Sequence, residues 1–567
     1  MWLRDIAMQR AAETPNRLSY RFVDASLNET LLLTYAELDA RARSVAAALA
    51  EWTRPDARVV IALDSDSTFV LCMFGCLYAA RVAVPAPAPR RSDDSWRRLL
   101  SIVRDSAPEL VIVRSAQTSA RLGCEPVARG CRIVTADELL TTHLGTFEPG
   151  ARGSRLAVLQ YTSGSTGDPK GVMLTDQALR ANLEAIRISF GIDAESHGLS
   201  WLPMHHDMGL IGFVFASLYI GCTTTWLSPH DFVQRPARWL QAISRYGATI
   251  SGAPAFGYRT CLDRIRDDQL AGIDLSSWQV ALVGAERVTE NLVRRFRERF
   301  AAYGLASGAL RPCYGLAEAT LLVTCSSVHE STNIKALAPT IDATATAGCG
   351  AVIPDHELIC VDEHGRHCDD GVVGEVWVRG PSVAAGYYGH PEETARVFRA
   401  TCNGRGPYLR TGDLGVVRDA QLFLVGRIKD VVVVRGRKFA PEDLESALAL
   451  SHPALSDSVG VAFSSTHAEI ESLIVVQELA CRRLHTMDRI ELQAAIREQL
   501  VTTHGINPAE ILFVARGTIP RTTSGKVQRG RCRELFERGM FACLDETPAQ
   551  TRAANIASAG IWTPGDV

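Results

Sequence analysis

The sequence predicts an α/β protein of at least two domains, and three observations carry that prediction. At 567 residues the chain is longer than one hydrophobic core usually extends. Helical and strand patterns alternate through the first 150 residues, which implies a parallel sheet covered by helices. Near residue 427 the texture changes, and a shorter α/β pattern runs from there to about residue 543.

The elements follow in chain order. Leu38, Ala42, Val45, Ala48 and Leu49 recur at helical spacing, so an amphipathic helix is expected from Tyr35 to Glu51. Arg58 to Leu63 read as a buried strand, Trp96 to Ser106 as a helix and Glu109 to Val113 as the next strand. The apolar stretch from Phe69 to Pro89 is broken by Arg81 and three prolines, which makes it a buried helix and strand rather than a membrane span. Gln177 to Phe190 are expected to be helical, and Gly374 to Gly380 alternate as a strand. In the second pattern, strands are expected at Val459 to Ala462 and Ser472 to Val476, and a helix from Asp488 to Val501. Residues 544–567 are small and polar, the composition of a flexible tail.

Composition narrows the function classes. A hydrophobic fraction of 47% is ordinary for a globular protein, and a net charge of -3 gives no electrostatic reason to bind nucleic acid or an anionic membrane. The start, Met1-Trp2-Leu3-Arg4-Asp5, lacks the basic and apolar regions of a secretory leader. Fifteen cysteines occur with no C-x-x-C pair, and reduced thiols fit a cytoplasmic protein. Of the sixty basic residues only five are lysine, at 170, 335, 429, 438 and 526. Lysine is a compact point charge where arginine is a wide fork, so lysines kept in an arginine-rich chain are candidates for sites that need the smaller group.

The most informative stretch is 161–175, Tyr-Thr-Ser-Gly-Ser-Thr-Gly-Asp-Pro-Lys-Gly-Val-Met-Leu-Thr. Gly164 and Gly167 let backbone N–H groups converge on an anion, Thr162, Ser163, Ser165 and Thr166 add hydroxyls, and Lys170 adds charge. Such a loop suits a polyphosphate. It is not a Walker A loop, because Gly164 is followed by Pro169-Lys170-Gly171 where G-x-x-x-x-G-K-[ST] requires Gly, Lys and a hydroxyl. Further on, Trp201-Leu-Pro-Met-His-His-Asp-Met-Gly-Leu-Ile-Gly212 brings two histidines beside an aspartate. Read as a strand, the two would face opposite sides, which argues against a shared metal. Gly284-Ala285-Glu286 and Tyr314-Gly315-Leu-Ala-Glu318 follow strand-like segments, where carboxyl ends present loops to ligands. Tyr314 offers a flat face for adenine, Glu318 a hard oxygen for magnesium, and Asp413 in Thr411-Gly-Asp two oxygens for ribose hydroxyls.

Taken in order from about residue 15 to about 540, these motifs resemble the acyl-adenylate-forming superfamily, and most of all its fatty acyl-AMP ligases. The closing string Ile519-Pro-Arg-Thr-Thr-Ser-Gly-Lys526-Val-Gln-Arg529 resembles the family's catalytic-lysine loop. The resemblance implies a large adenylate-forming domain of several subdomains over 1–426 and a small mobile α/β domain over 427–543. It implies ATP and magnesium as cofactors and Lys526 as the catalytic lysine. His206 would stand where the acyl pocket meets the α-phosphate, and the acyl chain would run past Trp201, Gly252, Ala253 and Ala255. It assigns Arg427 to the nucleotide and Lys429 to the hinge.

The implied reaction converts a fatty acid and ATP into acyl-AMP and pyrophosphate, and then passes the acyl group to the phosphopantetheine thiol of an acyl carrier protein. No attached carrier signature occurs in the sequence, so the carrier is expected in trans, in polyketide or lipid biosynthesis. The resemblance implies an insertion in the large domain that helps exclude coenzyme A; the stretch between Thr320 and Gly374, where it would fall, is shorter than the resemblance leads one to expect, which keeps an acyl-CoA synthetase as the alternative. An idle acyl or nucleotide sensor is the remote alternative, disfavoured because Lys526, Glu318 and Asp413 are all retained.

Overall fold

The computed structural model describes residues 2–90, 93–142, 147–150, 156–162, 169–327, 336–337, 346–434, 437–456, 458–467, 470–479, 489–521 and 527–541. The readings made for residues 163–167, for Lys526 and for a tail over 544–567 lie outside them.

Two large sheets form the body of the amino-terminal unit. A six-stranded sheet runs in the order Arg132–Thr135, Leu110–Val113, Arg58–Leu63, Val82–Pro87, Val158–Thr162, Lys170–Leu174. Its first five strands pair in parallel, with Val59 opposite both Ala83 and Leu110. The second sheet has nine strands, with the parallel run His197–Ser200, Ile250–Pro254, Val280–Gly284 and Leu310–Gly315 near its centre. Central strands buried on both faces need continuous apolar runs, and Val59 to Ala62 have no measurable exposure.

Helices cover these sheets as the periodicities require. Tyr35–Trp52 is capped by Thr34, whose hydroxyl accepts from the Glu37 N–H while Glu37 reaches back to the Thr34 N–H. Ser67–Tyr78 is apolar all round and buried, and strand Val82–Pro87 follows it, as the interrupted apolar stretch predicted. Among the described residues no helix is long and apolar enough to cross a membrane.

Two elements differ from the sequence reading. Both ends of the polar stretch at 161–175 are strand: Val158–Thr162 and Lys170–Leu174 pair antiparallel, with Thr162 opposite Lys170. Val172 and Leu174 supply the alternating buried face that makes the return segment a strand. The segment around His205 and His206 is not a strand either. It turns at Pro203, whose carbonyl accepts from His206 N, and enters the helix Asp207–Gly209 and a π-helical turn, Leu210–Phe215. The two imidazoles therefore lie 4.7 Å apart instead of on opposite faces.

The remaining chain forms a five-stranded sheet around the long strand Arg405–Arg418, then a small carboxy-terminal unit. That unit has a three-stranded sheet, Gly460–His467, Ile470–Leu479 and Glu510–Ala515, packed by helices Pro441–Ser451 and Arg489–His504. The main core cluster reaches to Leu422, and a separate one begins at Val432. Asp443 of the small unit pairs with Arg287 of the large one, and the Arg287 Nε also donates to Thr346 Oγ1 at 2.8 Å.

Candidate active site

A cavity of about 420 Å³ opens where the sheets and the approach to the small unit meet. Most of the predicted polar residues converge on it. Thr162 and Lys170 line one side, Gly284, Ala285, Tyr314 and Gly315 the floor, and Asp413, Arg427 and Lys429 the side facing the small unit. His206 and Glu318 also reach it. Residues distant in sequence meet because the parallel strands Val280–Gly284 and Leu310–Gly315 end at the cavity, as does Val158–Thr162 of the other sheet, and Ile428 after strand Gln421–Arg427 donates back to Gly412 O.

The polar side is tightly wired. The Tyr314 hydroxyl donates to Asp413 Oδ2 at 2.6 Å, and Arg427 Nε donates to Asp413 Oδ1 at 3.0 Å. The Asp413 carboxylate raises the pKa of Arg427 further, so the guanidinium stays firmly charged although its side chain is more than half exposed. Backbone strain collects here too. Ala285 has φ of 59° and Thr320 of 70°, the second in a β-branched residue for which that region is costly. The Thr320 hydroxyl donates to Ser382 O at 2.6 Å and holds the turn that presents Glu318.

Glu318 is a half-buried acid of the site. Burial pushes its carboxyl up, against the opposing pull of the Tyr387 hydroxyl, which donates to Glu318 Oε1 at 2.8 Å. Tyr387 lies in turn under Lys170, whose Nζ is 5.5 Å from the ring centroid and 2.5 Å from Glu393 Oε1. A half-buried carboxylate on a cavity wall that it shares with Lys170 fits one magnesium ligand, since that ion takes one or two carboxylates and completes its shell with phosphate and water.

The opposite arm of the cavity is apolar. Ile186 and Phe190 from helix Asp176–Phe190, Ile192 after it, Met208 and Phe213 around the π-helical turn and Leu321 form its wall. Gly212 sits within that turn, and a Cβ there would lie 3.3 Å from Leu321 Cδ2. Such an arm fits an alkyl chain.

Four residues expected on the acyl path lie elsewhere. Trp201, Gly252, Ala253 and Ala255 do not line the cavity. Trp201 stacks on Phe232 with centroids 3.7 Å apart, within an aromatic cluster that includes Trp239 and Phe256. A Cβ on Gly252 would meet Leu282 Cβ at 2.6 Å, so the small residue serves strand-to-strand packing rather than an open channel. Glu286 also stays off the cavity wall and accepts from Phe256 N at 2.9 Å.

Sequence reasoning missed the apolar arm itself and the cluster of Tyr387, Glu393 and Arg396. Ile186 and Phe190 stand at the i, i+4 spacing of any core-facing helix stripe, which carries no mark of a ligand. Glu393 and Arg396 read as ordinary solvated charges of a short helix, Pro391–Phe398.

Solved structures share this architecture. A fatty acyl-adenylate ligase from a set comprising E. coli and L. pneumophila enzymes superposes with a TM-score of 0.84 at 29% identity, over 95% of this chain and 98% of that one. The L. pneumophila fatty acyl-adenylate ligase in complex with acyl adenylate and pyrophosphate gives 0.73 at 33% identity, over 95% of each chain. Fold and cavity together are those of an adenylate-forming enzyme. A family model described as AMP-binding enzyme matches residues 8–388. The medium-chain-fatty-acid–[acyl-carrier-protein] ligase JamA of Moorena producens is 35% identical, over 99% of this chain and 98% of its own length. The long-chain-fatty-acid–AMP ligase FadD23 of Mycobacterium tuberculosis is 34% identical, over 91% and 93%. The chain belongs to the AMP-binding enzyme family and, within it, to the fatty acyl-AMP ligases.

Proposed function

We propose that the protein activates a fatty acid with ATP to acyl-AMP, releasing pyrophosphate, and then transfers the acyl group to the phosphopantetheine thiol of an acyl carrier protein. The observation that carries this reading is one cavity with an apolar arm, a nucleotide floor and a cationic wall. The two halves of an acyl adenylate need those surroundings side by side. JamA, named as an acyl-carrier-protein ligase, supports the choice of acceptor.

The chain's own groups bind, orient and neutralise charge, as phosphoryl transfer requires. The fatty carboxylate attacks the α-phosphorus and pyrophosphate departs. Asp413 and Arg427 fix the ribose end, Tyr314 and the strained Gly284-Ala285 turn flank the base, and His206 stands between the apolar arm and the phosphate side. Lys170 and the loop 162–170 hold the β- and γ-phosphates. Magnesium held by Glu318 would neutralise phosphate charge. Lys526, three residues before Arg529, is the lysine of the adenylation step. The small domain, 427–543, pivots at Lys429, where Asp430 N and Val431 N both donate to Arg427 O at 3.1 Å. In the second step the carrier thiol attacks the acyl carbonyl and AMP leaves.

Incubation with ATP, magnesium and fatty acids of graded length tests the reading, with acyl-AMP, acyl-CoA and acyl-carrier products separated by mass. Acyl-AMP that persists with coenzyme A and is consumed by a holo carrier protein is expected. Efficient acyl-CoA formation would assign coenzyme A as acceptor, and no adenylate from any acid would overturn the proposal.

A further inference from the structure

Three charged groups that the mechanism does not fully use meet on the cavity wall beside Tyr387. Glu393 Oε1 accepts from Lys170 Nζ at 2.5 Å and from Arg396 Nη2 at 3.1 Å, so two cations share one carboxylate oxygen. All three residues line the cavity. Lys170 enters from the strand after the phosphate hairpin, whereas Glu393 and Arg396 come one turn apart from helix Pro391–Phe398. Burial would raise the Glu393 carboxyl, but Lys170 and Arg396 outweigh it and hold the group below its ordinary range, so it is an anion at neutral pH. This trio carries one positive charge in surplus, and Glu318, bonded to Tyr387, is a further carboxylate on the cavity lining.

From this arrangement we infer that Glu393 is a built-in stand-in for phosphate: Lys170 and Arg396 exchange it for the terminal phosphates of ATP, and it recaptures both cations as pyrophosphate leaves. Arg396 is then a second phosphate-binding cation, and Glu393 a group that competes with the leaving product. The inference rests on reading the cavity as an ATP site. The exchange costs little because the half-buried Lys170 trades one anionic partner for another and never stands bare, while Arg396 is largely in water throughout. Without Glu393, Lys170 and Arg396 would hold pyrophosphate against nothing, and release would slow.

Calorimetric titration of the whole protein with magnesium pyrophosphate, ATP and AMP tests this directly, alongside pyrophosphate inhibition of adenylation. Arg396→Gln is expected to weaken pyrophosphate and ATP by about fivefold and to leave AMP within about twofold, since AMP lacks the terminal phosphates. Arg396→Lys should recover most of that loss. Glu393→Gln should tighten pyrophosphate and strengthen product inhibition. Pyrophosphate affinity unmoved by Arg396→Gln, an equal loss for AMP, or weaker pyrophosphate binding in Glu393→Gln would each overturn the inference. Wild-type protein that does not bind pyrophosphate would overturn it as well. If wild type adenylates no fatty acid yet shows the Arg396 pattern, the exchange stands and only the assigned reaction falls.

Discussion

The phenol of Tyr314 donates a 2.6 Å hydrogen bond to Asp413 Oδ2, joining the end of a central strand of the nine-stranded sheet to the long strand of the five-stranded one. Asp413 is 6% exposed, and each of its oxygens is already engaged once, by Tyr314 and by Arg427. A carboxylate oxygen accepts two bonds, so both still have capacity for a ribose hydroxyl. Tyr314→Phe leaves Oδ2 without its buried donor. ATP KM in pyrophosphate exchange should rise about tenfold, the value of one bond to a charged group, while the fatty-acid KM stays within about twofold.

Gly212 controls the width of the apolar arm. A Cβ there would already lie 3.3 Å from Leu321 Cδ2, so an indole has no room without closing the arm. Gly212→Trp should shift the preferred acid toward short chains and reduce long-chain adenylation by at least about tenfold. AMP binding should hold, which separates a blocked arm from a lost fold.

Two half-buried histidines set an acid limit on stability. Burial, with Arg98 and Arg90 nearby, depresses His205 to about 3, and burial with Arg21 depresses His197 to about 4. Both take up protons more readily when unfolded, near 6.5. Their contribution is therefore full above pH 6.5 and is lost as pH falls toward 4 and 3. Each removes about 1.4 kcal/mol per pH unit across its window. Urea midpoints between pH 7 and 4.5 should fall steeply in wild type, and His205→Asn should flatten the slope by about one proton.

Arg529 is the hub of the small unit. Its Nη2 lies 2.6 Å from Glu445 Oε2, its Nη1 2.9 Å from Glu442 Oε1 and 3.6 Å from Asp430 Oδ2. Burial pushes the Glu445 carboxyl up, and Arg529 opposes that shift. Arg529→Met would leave three carboxylates facing one another and should cost about 3–5 kcal/mol in the unfolding of this unit. Adding Glu445→Met should restore much of the loss. Chemical denaturation followed by a probe in the small unit reads both outcomes.

The alternation of apolar and polar runs is a local property, and it was enough to place helices such as Tyr35–Trp52 and strands such as Arg58–Leu63. Thr162, Lys170, Tyr314, Glu318 and Asp413 were also singled out by their atoms and spacing, and the structure brings all five to one cavity. The acyl arm was not so marked. Ile186, Phe190 and Phe213 satisfy the same patterns as core residues, and only the way the π-helical turn packs against helix Asp176–Phe190 leaves space beside them. The small residues near 252, which read as room for a chain, are consumed by strand contact with Leu282. The sharing of Glu393 by Lys170 and Arg396 joins positions more than two hundred residues apart. Composition and spacing thus determined the class of chemistry, whereas the position of empty space and the partner of each charge were decided by packing, which depends on contacts that no local pattern encodes.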